Sequence, residues 1–158
     1  MHADKHDITR EELAAVLIEN YDPSFVKLVR SGDIVISGYN FGCGSSREQA
    51  ATAFLAAGVR IIIAGSFSET FKRNGFNNTL LCIECPSLVD HVSQTHGERV
   101  RTVRTEIEAM VDFERSTIGV ENESFSFAPL GVAVQELIAC GGMEAWVQAQ
   151  AGSELTSQ

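Results

Sequence analysis

Ten consecutive residues hold most of the chain's chemical potential: Asn40, Phe41, Gly42, Cys43, Gly44, Ser45, Ser46, Arg47, Glu48 and Gln49. Glycines at 42 and 44 permit positive φ and close backbone approach, and the segment runs directly into a helical pattern. The first amides of a helix have no intrahelical partner and carry the positive end of its dipole, so such a turn attracts anions. Arg47 adds a fork that can grip a carboxylate through two parallel hydrogen bonds, and Ser45 and Ser46 add hydroxyls. The plainer role for these glycines is a tight strand-to-helix connection with one serine as helix cap. Ser-Ser-Arg in the first turn favours an anion cradle formed by Gly42, Cys43 and Gly44. Arg47 has its own architectural alternative, an ion pair with Glu48 or Asp33.

The segment is neither a Walker loop, which needs Lys after its last glycine, nor a dinucleotide fingerprint, which needs a third glycine. His91 and His96 fall in or after a polar helix with no carboxylate set to orient them, so they read as surface residues rather than as a triad base. Cys82 and Cys85 have a metal-like spacing. In an apolar strand beside Leu81 and Ile83, however, period two puts them on opposite faces, as small buried hydrophobes. Cys43 is expected to pack, with a thiol sensitive to oxidation if it lies near the helix start.

Composition bounds what can hold these residues. The chain has 158 residues, 44% hydrophobic and 21% charged, which fits one domain over 1–158 with its own core and flexible ends at 1–8 and 152–158. Twelve Lys and Arg against 21 Asp and Glu leave a net charge of −9, which argues against a nucleic acid or an anionic membrane as partner. No apolar run approaches the roughly 18 residues of a membrane span. The first seven residues lack the apolar core of a secretory signal and the bias of a transit peptide, so any targeting segment is expected outside this chain. Four cysteines are too few for a disulfide scaffold and point to a reducing compartment.

The elements follow from periodicity and punctuation. Thr9 and Glu12 form a capping box, with Ile8 and Leu13 as its hydrophobic staple and Leu13, Val16 and Leu17 on one face. Asp22 before Pro23 opens a short helix over 24–30, ended by Ser31 and Gly32. A strand over 33–37 feeds the glycine loop, a helix runs from Ser46 to Gly58, and a β-branched strand covers 59–64. Ser66 and Glu69 mark a second capping box with a helix through Arg73, followed by a strand over 80–85 and a helix from Pro86 to about Gln94. After residue 99 the segments 100–103, 107–113 and 125–127 read as short antiparallel strands, joined by turns such as Glu121, Asn122 and Glu123. Helices over 132–140 and 143–149 close the chain, separated by Gly141 and Gly142. The fold class is α/β: a central, mostly parallel sheet with a smaller antiparallel part after residue 99.

On the residues of the 42–49 segment, the Gly65-Ser66-Phe67 turn, the Asn77-Asn78 pair and the late 138–146 stretch, the chain resembles the swivel domain of the aconitase superfamily. Its Phe-Gly-Cys-Gly version and Gln49 are most similar to the carboxy-terminal domain of the fungal homoaconitase branch. The resemblance implies a swivelling β/β/α domain of a hydro-lyase that moves a hydroxyl between neighbouring carbons of a tricarboxylate. It implies Ser45 as the base removing a proton, with Ser46 and Arg47 holding a substrate carboxylate. The iron of a [4Fe-4S] cluster, carried by another domain or a large subunit, takes the hydroxyl in that family, and this chain is expected to bind no metal. The implied reaction interconverts homocitrate and homoisocitrate through cis-homoaconitate in lysine biosynthesis, and the chain alone should be inactive. The alternatives are a 3-isopropylmalate isomerase small subunit and a non-catalytic carboxylate-binding module. The homoaconitase branch implies the mitochondrial matrix, the others the cytoplasm. One departure stands out: nothing before Thr9 resembles the Asp-x-Ile-x-Pro strand of swivel domains or the arginine loop that reads the distal group of the substrate. Its absence points to an excised or truncated domain.

Overall fold

The computed structural model describes residues 9, 12, 22–44, 48–96, 102–145, 147 and 148. At its start the expected capping box is present: the Thr9 amide donates to Glu12 Oε2 at 2.9 Å and the Glu12 amide to Thr9 Oγ1 at 3.3 Å. The staple residues and the rest of that first helix lie outside the described residues. Helix α1, Phe25–Leu28, is shorter than its pattern predicts, because Val29 already turns to extended backbone. Asp22 opens it by accepting from the Ser24 amide and hydroxyl at 2.9 and 2.7 Å.

Three strands, β1 Ile34–Ser37, β2 Ile61–Ala64 and β3 Leu81–Glu84, pair in parallel in the order β1-β2-β3. Helix α2, Glu48–Ala56, joins β1 to β2, and α3, Glu69–Asn77, joins β2 to β3. Each strand sorts its side chains by period two. Val35, Ile62, Ala64 and Cys82 pack with Ala50, Ala51 and Phe54 of α2 and Phe71 of α3. The alanines of α2 let it sit close on the sheet. Ile34, Ile36, Ile61, Ile63 and Ile83 face the other way, toward Leu88 of α4, Pro86–His96, and toward a second sheet. That sheet is an antiparallel meander of β4 Ala109–Asp112, β5 Thr117–Val120 and β6 Glu123–Ser126, whose Ile118, Val120, Val111 and Phe125 complete the second core. Helices α2 and α3, the parallel sheet, and the antiparallel sheet with α4 beside it therefore form three layers, the β/β/α arrangement that the resemblance implies.

Several boundaries differ from the sequence pattern for identifiable reasons. The expected strand at 100–103 is absent over 102–103, since 102–108 runs irregularly, with Glu106 at φ +59°. The true centre of the meander, β5, carries Gly119 opposite Met110, and a glycine there blurs the alternation. Glu123, expected in a turn, begins β6, leaving Glu121 at φ +53° and Asn122 as the connection. Helix α3 runs on to Asn77 through Gly75, where a Cβ would meet Cys82 Sγ at 2.8 Å, so that glycine serves helix-on-sheet contact rather than termination. Helix α5, Val132–Cys140, has the expected bounds and ends at Gly141, φ +93°. Gly142 then backs onto the Asn77 carbonyl, where a Cβ would come to 2.8 Å.

Candidate active site

The loops after β1 and β2 and the start of α4 meet at the carboxyl ends of the parallel strands, the edge where open α/β sheets bind ligands. The loop after β1 is laced to the one after β2. Gly65 donates to the Gly38 carbonyl at 3.0 Å, Phe41 to the Ser66 carbonyl at 2.9 Å, and Ser68 to the Phe41 carbonyl at 2.8 Å. Phe41 and Phe67 form an isolated parallel bridge. Ser66 Oγ accepts from the Asn40 amide at 2.8 Å, and that bond steadies Asn40 at φ +57°.

This use of Ser66 corrects the expected capping box. The N-cap of α3 is Ser68, whose Oγ accepts from the Phe71 amide at 3.2 Å and donates to the Gly42 carbonyl at 3.1 Å. One hydroxyl thus caps a helix and holds the glycine loop. The sequence signal was present, a serine directly before the acidic first-turn Glu69, but Ser66 and Ser68 compete for it.

Beneath the loop lies an aromatic floor. Phe41 sits edge-on to Phe71 at 5.1 Å and to Phe67 at 5.8 Å, with Phe54 5.8 Å away. Gly42 rests on it at φ +82°, and a Cβ there would stand 2.4 Å from Phe71 Cβ. Gly42 therefore has both properties expected of it, the close approach and the left-handed backbone. Gly44 has neither: it lacks a positive φ, and among the described residues nothing lies within 4 Å of its Cβ position. Cys43 is also corrected, since it is exposed rather than packed. Ser45, Ser46 and Arg47 lie outside the described residues. Of the two carboxylates that could compete for Arg47, Asp33 is engaged elsewhere. It stands at the opposite end of β1 and binds Arg104 Nη2 at 2.8 Å and the Arg30 amide at 2.8 Å.

Charge at this edge comes from a pair the sequence did not advertise. Glu84, last in β3, accepts through one oxygen from the Phe67 amide at 3.3 Å and from Lys72 of α3 at 3.4 Å. Lys72 also lies 3.7 Å from Glu69. His91 corrects an expectation as well: its Nδ1 is 3.4 Å from Glu123 and its ring 5.2 Å from Phe125, so a carboxylate does orient it, though in the layer facing β6.

Cys82 and Cys85 lie on opposite faces of the strand, Cys82 in the core beneath α2 and α3, Cys85 in the core against the second sheet. Burial pushes the Cys82 thiol up to about 12, with smaller opposing effects from Lys72, which lowers it, and Glu84, which raises it. Neither thiol suits a cluster: the two are separated by the sheet, and among the described residues no group of three or more His, Cys, Asp and Glu could hold a metal ion.

Residues 4–88 match the family described as the aconitase C-terminal domain. The chain belongs to that family. Its relatives include mitochondrial homoaconitases: 48% identity over 148 residues with that of Chaetomium globosum, covering 90% of this chain and 19% of that protein. Those of Neurospora crassa and Candida albicans are 45% and 42% identical over 91% of this chain. The chain spans about a fifth of the length of these curated relatives. Among solved structures, 3-isopropylmalate dehydratase from Methanocaldococcus jannaschii superimposes with a TM-score of 0.79 at 27% identity, covering 97% of this chain and 85% of that one. In this aconitase C-terminal domain the matched segment, 4–88, spans all three parallel strands and both loops of the candidate site.

Proposed function

We propose that this chain is the swivel domain of a homoaconitase, a hydro-lyase interconverting homocitrate and homoisocitrate through cis-homoaconitate. The observation that carries the reading is the 41–48% identity to fungal homoaconitases over at least nine tenths of the chain. In this reading Ser45 removes the proton from the carbon next to the one that bears the hydroxyl, and Ser46 and Arg47 hold a substrate carboxylate. A serine hydroxyl is a weak base, so its alkoxide has to be stabilised by loop amides and nearby cations. The left-handed backbone of Gly42 over Phe71 supports this reading, since it fixes the loop that precedes those residues. The [4Fe-4S] cluster of such an enzyme, a Lewis acid for the departing hydroxyl, is assigned to a cluster-bearing partner portion, since Cys82 and Cys85 lie buried in different cores. The names of the relatives support a mitochondrial location, which in this reading is the matrix.

The test is assembly with the cluster-bearing portion of a homoaconitase, following hydration of cis-homoaconitate. Ser45→Ala should lower kcat by about 10²- to 10⁴-fold, the range for losing a positioned proton acceptor. Arg47→Lys, which keeps charge but loses the fork, should raise KM and lower kcat, together about 2 to 4 kcal/mol. Activity untouched by Ser45→Ala would sink the assignment. The fold shared with 3-isopropylmalate dehydratase favours one alternative, a leucine-biosynthetic subunit; turnover of isopropylmalate but not of cis-homoaconitate would select it. Tricarboxylate binding without turnover in any assembly would select a carboxylate-binding module.

A further inference from the structure

Tyr39 crosses the whole carboxyl edge of the parallel sheet. It leaves the loop after β1, lays its ring over Gly65 in the loop after β2, and donates its hydroxyl to Asp90 Oδ1 of α4 at 2.9 Å. The ring lies so close that a Cβ on Gly65 would fall 2.7 Å from its Cδ1 and Cε1. Gly65 has no positive φ, so its lack of a side chain answers to this ring and not to a turn. Yet Tyr39 is 54% exposed, and hydrophobic burial is a poor account of it. What it spans is more telling. The next residue, Asn40, and then Gly42 both take left-handed backbone, at φ +57° and +82°. Glycine takes that backbone freely and asparagine at little cost, so the path of the loop is set by its contacts rather than by the backbone alone. The Ser66 hydroxyl, the Phe41 bridge and the Ser68 hydroxyl hold one side of the loop. Tyr39 is the tie to the third strand's connection. The hydrogen bond to Asp90, with some desolvation and the carboxylate's charge, raises the phenol above its ordinary pKa.

We propose that Tyr39, braced on Gly65 and tied to Asp90, is the positioning residue that holds the glycine loop in the conformation from which the 45–47 segment departs. The consequence for turnover rests on the proposed function; the strut itself does not.

Two measurements separate them. In the 158-residue chain, Tyr39→Phe and Asp90→Ala should each speed exchange of the Asn40, Phe41, Cys43 and Gly65 amides by about fivefold to tenfold, the loss of one solvent-exposed hydrogen bond. The double variant should do no more than either single one. Ile118 and Val120, in the second sheet, should exchange as before, which a general loss of stability would not allow. In the assembled enzyme Tyr39→Phe should lower kcat severalfold with KM within about twofold, since a loop without its strut offers the groups that follow it a wider spread of positions. Unchanged loop exchange in both single variants overturns the strut. Faster exchange with unchanged kcat overturns its positioning role. Faster exchange in a chain whose wild-type assembly lacks hydratase activity upholds the strut and defeats the proposed function instead.

Discussion

At the carboxyl ends of β1 to β3 the backbone is held by many small ties: Ser66 and Ser68 hydroxyls, the Phe41 bridge, the Tyr39 strut and the Glu84 contact with Phe67. At the amino ends one charged tie prevails. Asp33 receives Arg104 from the segment leading to the second sheet and the Arg30 amide from the end of α1's extension. Both partners are about a quarter exposed, Arg104 also reaches toward Glu106 at 3.7 Å, and its Nε is buried with no partner among the described residues. The amino edge clamps the two sheets together. The carboxyl edge instead sets the path of a loop, residue by residue. Architecture tolerates a strong, localised bond, whereas a loop that must present particular groups needs many directional constraints, each weak alone.

Gly42→Ala is expected to have the largest effect. It combines a left-handed backbone with a Cβ inside the contact distance of Phe71, and should cost about 3 to 4 kcal/mol in denaturant unfolding. A smaller loss would mean that Phe71 can yield, and that the floor is softer than the aromatic packing implies. Asp33→Ala or Arg104→Ala comes next, at about 1 to 2 kcal/mol, because a half-buried charged hydrogen bond lies between the surface and interior cases. Loop amide exchange at 40–44 should be untouched by either, and any acceleration there would erase the distinction between the two edges. Gly44→Ala is expected to be smallest, within about 0.5 kcal/mol, as no described residue comes within 4 Å of its Cβ position. Measured beside Gly42→Ala it isolates what each glycine of the pair is for. A large loss of stability at Gly44 would contradict the open side of the loop.

Much of the fold was legible because its signals are local. Period-two sorting of Cys82 against Cys85 follows from strand geometry alone, and the two thiols do enter different cores. The capping box at Thr9 and Glu12 and the stop of α5 at Gly141 are likewise decided within four residues of chain. The β5 strand was illegible for the same reason: its identity depends on pairing with Met110 and Phe125, and its own residues include a glycine and polar flanks.

By itself, then, the sequence determined the order of elements from β1 to α4, the opposite facing of Cys82 and Cys85, and the family, and it named Gly42 to Arg47 as the candidate segment for chemistry. Only the tertiary structure decided which serine caps α3, that Gly42 and not Gly44 is constrained, that Asp33 is committed to Arg104, and that Tyr39 reaches Asp90. Those are contacts between residues 26, 29, 51 or 71 positions apart. A propensity or a period registers only what neighbours along the chain do to one another. Such long-range contacts exist only after the layers have brought strand ends and helix starts to the same edge.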